Sequence, residues 1–166
     1  MTLPEINALP RDAFVERLGF LFEGSPWVAE RLWTERPFSN VETLHARMVD
    51  EVQRATREEQ LALLRAHPDL GARAPMSDAS AGEQAGAGLG RMPPGEQDLL
   101  QQLNTVYREK FGFPFLYAVR GSTRHAILEA LTQRLDRTPE DEFPEALRQV
   151  YRIAWFRLEG LALQED

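Results

Sequence analysis

The chain has 166 residues, of which 43% are hydrophobic and 27% are charged, and its net charge is −7 at pH 7. This length fits one domain with a buried core, and the composition is that of an ordinary globular protein. An acidic surface repels nucleic-acid backbones and anionic membranes, so we expect neither as a partner. The chain has no cysteine, which excludes disulfides, thiolate nucleophiles and metal sites built on cysteine.

We expect no targeting signal at either end of the sequence. The first residues, MTLPEINALP, lack the basic and apolar regions of a signal peptide, and no apolar run is long enough to cross a bilayer. The last residues, LALQED, lack a peroxisomal address. We therefore expect a cytoplasmic protein.

Helical periodicity dominates the sequence, and no stretch alternates with a period of two. Residues 72–80 are predicted to form a loop, and the aromatic segment 111–119 (FGFPFLYAV), interrupted by Pro114, an ordered extended segment. The fold class is therefore predicted to be all-α, a single-domain helical bundle over residues 1–166 with one ordered non-helical segment at about 111–119. The predicted helices cover about residues 10–22, 25–35, 41–55, 57–66, 80–90, 93–112, 122–135 and 140–163.

Local signals predict where several of these helices begin and end. Pro10 and Pro26 suit positions in a first turn, where the missing N–H costs nothing. Ser25 and Asn40 are predicted N-cap residues. Gly112 is the predicted stop of the helix over 93–112.

His67 is one of three histidines, and it lies where a helix must end. Pro68 follows it, and a residue before proline is disfavoured in helical geometry. His67 is therefore either a turn or capping residue or an imidazole delivered to a site. His45, at the edge of an amphipathic stripe, and His125, at a solvated helix start, have weaker claims. No metal-ligand spacing such as H-E-x-x-H links the three, so we expect no metal site.

Glu83 also has two interpretations. Ser80-Ala-Gly-Glu83 matches the S-x-x-E capping box, in which the two side chains satisfy backbone groups at a helix start. The small residues of GEQAGAGLG, however, weaken a helix and permit close approach of another helix or a ligand. This helix start could thus hold an anionic group instead.

Arg157 lies on the last predicted helix, about 70° from the centre of its apolar stripe at 100° per residue. A guanidinium at that position is partly buried and needs an anion or several acceptors. An intramolecular salt bridge, a side chain that reaches to solvent, and a substrate anion all meet that need. The predicted buried stripe comprises Phe143, Leu147, Val150, Tyr151, Ala154, Leu158 and Leu161.

Five segments of the chain, taken in order, resemble one family closely: FEGSPWVAERLWTERPF, LALLRAHPDLG, SAGEQAGAGL, LNTVYREKFGFPFLYAVRG and RIAWFRL. They are similar to the 2-oxo-4-hydroxy-4-carboxy-5-ureidoimidazoline (OHCU) decarboxylases of uric acid breakdown. The resemblance extends over about residues 5–160, and its specificity comes from the combination of HPDL, SxxEQ and KFGFPF. It implies a cofactor-free helical bundle, usually a homodimer, which converts the small ureidoimidazoline OHCU to (S)-allantoin with loss of CO2.

The resemblance also implies roles for individual residues. His67 would be the catalytic acid/base, Glu83 its carboxylate partner and Arg157 the cation of the site. The FGFPF segment, residues 111–115, would offer backbone amides and carbonyls to the substrate. The residues implied to surround the substrate are Pro68, Ser80, Ala81, Gly82, Glu83, Gln84, Phe115, Leu116, Tyr117, Ala118 and Val119.

The sequence departs from the family pattern between His67 and Ser80. This stretch is shorter than is typical of the family, and DLGA stands where DLAG is common. The shorter loop affects any substrate contact expected from the loop itself and leaves the matched motifs unchanged.

Two other functions are compatible with the same residues. A non-catalytic helical interaction module would use the aromatic segments SPWVAERLW and FGFPFLY as a partner surface. Alternatively, a lyase or hydrolase acting on another ureido compound would keep the site and change the substrate.

Overall fold

The computed structural model describes residues 1–72 and 75–166. In these residues the chain forms nine α-helices and no β-strand, with one isolated parallel bridge between Thr2 and Gln164. The predicted all-α class is confirmed, and none of the described helices combines the length and the apolar character needed to cross a membrane. The helices are α1 (Leu3–Asn7), α2 (Arg11–Leu18), α3 (Trp27–Leu32), α4 (Val41–Arg54), α5 (Arg57–Arg65), α6 (Asp78–Gly86), α7 (Pro94–Phe111), α8 (Arg124–Arg134) and α9 (Pro139–Gly160).

The helices belong to two compact units. The first consists of Met1–Ala66 and Tyr151–Asp166, and the second of His67–Val150. Helix α9 contributes its N-terminal part to the second unit and its C-terminal part to the first. The predicted single domain over residues 1–166 stays a prediction.

Three helices of the first unit, α1, α4 and α5, begin with side-chain caps. Asn40 accepts a hydrogen bond from the Thr43 N–H at 2.7 Å, which confirms it as the N-cap of α4. Thr56 and Glu59 form a capping box at the start of α5. A similar box at Thr2 begins α1, a helix that the sequence prediction missed because it has only five residues.

The prediction for the start of α3 was wrong at Ser25. The Ser25 hydroxyl donates to the Glu23 carbonyl at 2.9 Å instead of accepting a helical N–H, and α3 begins at Trp27 with Pro26 as N-cap. The prolines at both predicted first-turn positions lie one residue earlier than expected, since Pro10 is likewise the N-cap of α2. Proline suits the N-cap as well as the first turn, because no intrahelical hydrogen bond needs the backbone N–H at either position.

In the second unit, the start of α6 differs from the prediction. Ser77 is the N-cap, and its Oγ accepts from the Ser80 N–H at 3.1 Å. Ser80 is therefore the third helical residue, so the predicted Ser80–Glu83 capping box is wrong and the predicted loop over 72–80 ends earlier. Both serines have the chemistry of a cap, and the upstream one takes the position. Residues 73 and 74 of that loop lie outside the described residues.

The ordered non-helical segment follows α7 as predicted. Gly112 ends α7 in left-handed geometry, with φ of 81°, and the chain stays non-helical until α8. Phe113 and Phe115 pack edge-on against Tyr107 with ring centroids at 6.0 and 5.4 Å. An aromatic core thus holds this segment on the C-terminal part of α7.

The buried stripe of α9 is largely as predicted. Phe143, Leu147, Val150, Ala154 and Leu158 are buried. The other two predicted members, Tyr151 and Leu161, are half-buried, and Leu161 lies beyond the end of the helix. The helix ends at Gly160, so the 100° periodicity does not extend to Leu161.

Candidate active site

His67 begins the second unit at a corner of the chain. Helix α5 ends at Arg65 with Ala66 as its C-cap, which confirms the end predicted from Pro68. The His67 side chain is buried, with 8% exposure, and Pro68 is half-buried. The imidazole is therefore held within folded structure and is not on a solvated helix face.

The segment directly after Pro68 is fixed to α6 and α7 by three polar contacts. Asp69 forms an ion pair with Arg108. The Leu70 carbonyl accepts from the Asn104 side-chain amide at 2.9 Å, and the Gly71 N–H donates to the Gln84 side-chain oxygen at 2.8 Å. These contacts restrain the chain two to four residues after His67.

Gly71 has φ of +77°, a left-handed conformation that favours glycine. A Cβ at this position would lie 2.7 Å from Cδ2 of Leu100, which is fully buried in α7. Both the backbone conformation and the close packing therefore require glycine here, which explains why DLGA places glycine at position 71.

Asn104 was not predicted as a functional residue, although the sequence contains a signal for it. It lies between Leu100 and Tyr107 on the buried face of α7, at spacings of four and three residues. A polar side chain in an apolar stripe needs a buried hydrogen-bond partner. The Leu70 carbonyl is that partner, but sequence periodicity does not identify it.

Helix α6 divides the predicted substrate-binding stretch 80–84 between two environments. Ser80 and Gln84, one turn apart, are buried, whereas Ala81 and Gly82 are exposed and Glu83 is half-buried. The Ala81 N–H is already bonded to the Ser77 carbonyl at 2.9 Å. This backbone amide is therefore used within the helix, and ligand binding by Ser80, Glu83 and Gln84 stays a prediction.

The predicted substrate-binding segment 115–119 is mostly buried. Phe115, Leu116, Ala118 and Val119 are buried, and half-buried Tyr117 places its hydroxyl 3.1 Å from the Ser122 hydroxyl. Several backbone groups of this segment are already hydrogen-bonded within the protein. Fewer of its backbone N–H and C=O groups are therefore expected to bind a substrate.

Two of those backbone groups are bound by side chains from neighbouring helices. The Leu116 carbonyl accepts from the Arg134 guanidinium at 2.5 Å, and the Ala118 N–H donates to the Gln149 side chain at 3.0 Å. Arg134 and Gln149 are both buried. Neither residue was predicted from the sequence, and both now hold the segment 115–119 in place.

Arg134 belongs to a buried polar network with Tyr107 and Glu142. The Glu142 carboxylate accepts from the Tyr107 hydroxyl and from the Arg134 Nε, each at 2.5 Å, and its side chain has 0% exposure. Burial, and next the hydrogen bond to Glu142, raise the pKa of Tyr107 above its usual value, so the phenol stays protonated. Through Arg134, the network is hydrogen-bonded to the Leu116 carbonyl of the segment 115–119.

Arg157 lies in the first unit and binds two residues of the same unit. Its Nη1 donates to the Phe20 carbonyl at 2.7 Å, and its Nη2 pairs with the Glu23 carboxylate at 2.8 Å. Both Arg157 and Glu23 have 7% exposure. Of the interpretations left open by the sequence, the intramolecular salt bridge is present, and Glu23 is its carboxylate.

The other two histidines have structural surroundings. His45 places Nε2 2.9 Å from the Tyr151 carbonyl and packs edge-on against Trp155. His125 is the second residue of α8 and is exposed. Among the described side chains, no three of the types His, Asp and Glu are grouped as metal ligands.

Comparison with known proteins identifies the class to which this fold and these residues belong. The model of the OHCU decarboxylase family matches residues 7–159. The chain therefore belongs to the OHCU decarboxylase family, and the resemblance seen in the sequence is confirmed.

Individual relatives match over nearly the full length. The chain is 45% identical to the 2-oxo-4-hydroxy-4-carboxy-5-ureidoimidazoline decarboxylase of Halalkalicoccus jeotgali, over 100% of this chain and 94% of the relative. It is 48% identical to the protein of the same name from Haloferax volcanii, over 95% of this chain and 94% of the relative. A crystal structure of (S)-allantoin synthase superimposes with a TM-score of 0.80 and 34% identity, over 96% of this chain and 53% of that one.

Proposed function

We propose that this protein decarboxylates OHCU to (S)-allantoin in uric acid breakdown. The observation that carries this proposal is membership of the OHCU decarboxylase family over residues 7–159, together with relatives named for that activity at 45% and 48% identity. The burial of His67 and the hydrogen bonds that hold residues 70 and 71 support the further proposal that His67 is a pre-organised acid/base group.

The chemistry needs no cofactor as electron sink, because OHCU supplies its own. When the bond to the carboxylate breaks and CO2 leaves, the electron pair is delocalised over the adjacent C=N bond of the ring. The hydroxyl group on the carbon that lost CO2 gives up its proton and becomes a carbonyl. A new C–H bond forms when a proton is delivered to the neighbouring ring carbon, which carries the ureido group. The protein has only to position the substrate, polarise it and move protons.

In this proposal His67 is the group that moves the proton. An imidazole can accept and donate protons near neutral pH, and general acid/base catalysis contributes typically about 10²–10⁴-fold. Glu83, half-buried on α6, orients the imidazole as its carboxylate partner. Delivery of the proton from one side of the ring accounts for a single enantiomer of the product.

The cation of the site is assigned to Arg157, which orients the substrate through its carboxylate. A guanidinium that held the carboxylate too tightly would stabilise the ground state and slow the loss of CO2. Orientation is therefore its main role and stabilisation of developing charge the second. The proposed substrate site is lined by Pro68, Ser80, Gln84 and the segment 115–119.

We also propose a homodimer that acts in the cytoplasm, with residues 1–166 folded as one OHCU decarboxylase-like domain and with no nucleic-acid or membrane partner. The family resemblance supports the dimer, and the net charge of −7 supports the absence of polyanionic partners. Sedimentation velocity of the full chain tests the dimer, since a protomer mass of 18.9 kDa would be found throughout a concentration series if the proposal were wrong.

The proposed activity is tested by following OHCU as it forms during uric acid oxidation. Circular dichroism records the appearance of (S)-allantoin with and without the protein. Acceleration by the wild-type chain, lost in His67→Ala with helix content retained, is the expected result. No acceleration by the wild-type chain would favour an interaction module or a lyase or hydrolase for another ureido compound.

A further inference from the structure

The ion pair between Glu23 and Arg157 is buried. The side chains of Arg157 and Glu23 have 4% and 8% exposure, and Nη2 lies 2.8 Å from the Glu23 Oε2. An arginine at such a position cannot lose its proton, so its charge must be balanced by the surrounding groups. The Glu23 carboxylate carries the opposite charge and is in direct contact with the guanidinium.

Two contacts fix the direction of the guanidinium plane. Nη1 donates to the Phe20 carbonyl at 2.7 Å while Nη2 binds Glu23. Because the guanidinium is planar and rigid, holding two of its nitrogen atoms determines where its remaining edge points. Glu23 therefore controls orientation as well as charge.

Glu23 is itself held in position by its backbone. Its carbonyl accepts from the hydroxyl of Ser25, which is buried, and Gly24 between them has φ of +54°. A Cβ at Gly24 would lie 3.1 Å from the Ala66 Cβ, so the turn packs closely against the end of α5. This turn leaves the carboxylate little freedom to move away from Arg157.

We propose that Glu23 is a positioning residue, which fixes the orientation of Arg157 and lowers its effective positive charge toward the carboxylate of OHCU. The inference rests on the proposed function, in which Arg157 orients that carboxylate. A guanidinium balanced by Glu23 binds the substrate anion weakly enough for CO2 to leave. The same guanidinium without Glu23 would bind the ground state more tightly and the transition state relatively less.

The test measures kcat and KM of the full chain for OHCU in Glu23→Gln, which keeps the side-chain shape and removes the charge. We expect KM and kcat both to fall, each by about threefold to tenfold, the pattern of lost ground-state destabilisation. Affinity for (S)-allantoin, which has lost the carboxylate, should stay within about twofold. A change that only disturbed folding would lower kcat or the active fraction without lowering KM.

Glu16→Gln is the matched control, because it removes one negative charge from an exposed position of α2 in the same unit. It should leave both constants unchanged. An unchanged or raised KM in Glu23→Gln overturns the inference, whereas absence of turnover by the wild-type chain overturns the proposed function. Should Glu23→Gln fail to fold, Glu23→Asp retains the charge but withdraws it from Nη2. It should lower both constants by less, and wild-type constants in Glu23→Asp would then overturn the inference.

Discussion

The side-chain oxygen of Gln84 accepts a hydrogen bond from the backbone N–H of Gly71, and this contact joins α6 to the segment that follows His67 and Pro68. Asn104 adds a second contact from α7, to the Leu70 carbonyl. The position of the chain after His67 is thus determined by side chains from helices that are distant in sequence. Removing the hydrogen bond between Gln84 and Gly71 tests whether it restrains this segment.

Gln84→Met keeps the volume of the buried side chain and removes the acceptor for the Gly71 N–H. A buried N–H without a partner costs about 1–3 kcal/mol, so the free energy of unfolding should fall by about that amount. Turnover of OHCU should fall as well, because the segment after His67 loses one of its restraints. Urea denaturation and the allantoin assay measure the two effects.

Gln102→Met on the exposed face of α7 is the control for this substitution. It makes the same chemical change where water can replace every lost contact, and both stability and turnover should be retained. Equal stabilities of Gln84→Met and the wild-type chain would contradict a role for the bond to Gly71.

Gly71→Ala tests whether close packing against Leu100 requires glycine at position 71. Gly121→Ala is its matched control. Both glycines have nearly the same positive φ, +77° and +76°, but a Cβ at Gly121 meets nothing within 4 Å. Gly121→Ala should lower the free energy of unfolding by about 1–2 kcal/mol, the penalty for alanine in a left-handed conformation. Gly71→Ala should cost about 1–3 kcal/mol more, because its Cβ overlaps the buried Leu100.

Denaturant unfolding of both glycine variants gives this difference directly. The double variant Gly71→Ala/Leu100→Ala should be less destabilised than the sum of the single variants, since the overlap no longer exists. Equal costs at the two glycines would show that the contact with Leu100 is easily relieved.

Substitutions at Glu83 and Ser77 distinguish a catalytic role from a role in helix capping. Ser77 is the cap of α6, so Ser77→Ala should cost about 1 kcal/mol of stability and leave kcat unchanged. Glu83 has no part in that cap, and Glu83→Gln should change stability by less than about 0.5 kcal/mol while strongly lowering kcat. A Glu83→Gln variant with normal kcat would remove Glu83 from the proposed mechanism.

The comparison of Ser77 with Ser80 shows what limits prediction from sequence. Asn40, Gly112 and the end of α5 before His67 were predicted because each depends on a few neighbouring residues. Ser77 and Ser80 satisfy the same local rule, and only the extent of α6 decides between them. A local pattern that fits two registers does not select one.

The partners of the buried charged residues could not be predicted from the sequence for a different reason. Glu23 and Arg157 are 134 residues apart, and Tyr107 and Glu142 are 35 apart. Helical periodicity places Arg157 and Tyr107 on a flanking or buried face, whereas Glu23 lies in a turn outside the helices. Periodicity does not identify which distant residue a helical side chain contacts. The family resemblance gave candidate roles to His67, Glu83 and Arg157, whereas the supporting residues required three-dimensional contacts.

Glu142 is the acceptor on which the buried network of the second unit depends. Glu142→Gln should cost about 3–5 kcal/mol of stability, because it leaves the buried Arg134 without its counter-charge. Tyr107→Phe removes one hydrogen bond to a charged group and should cost about 1.5–3 kcal/mol. Denaturant unfolding measures both.

Glu140→Gln, an exposed change in the first turn of α9, should cost less than about 1 kcal/mol and serves as the control. If Glu142→Gln were as stable as this control, the network would have no net structural role. Retention of most of the kcat in Tyr107→Phe, despite lower stability, is expected because the other contacts to the segment 115–119 remain.

Tyr151 in the first unit makes stability depend on pH in the alkaline range. Burial raises its pKa to about 12 from the ordinary 10.0, so the folded protein holds the phenolic proton more tightly than the unfolded chain. The resulting stabilisation is fully present below pH 10 and is lost as the pH rises toward 12. Tyr151→Phe should therefore show a shallower loss of unfolding free energy over this range, measured by urea denaturation at successive pH values, than the wild-type chain. Parallel curves for the two proteins would contradict the raised pKa.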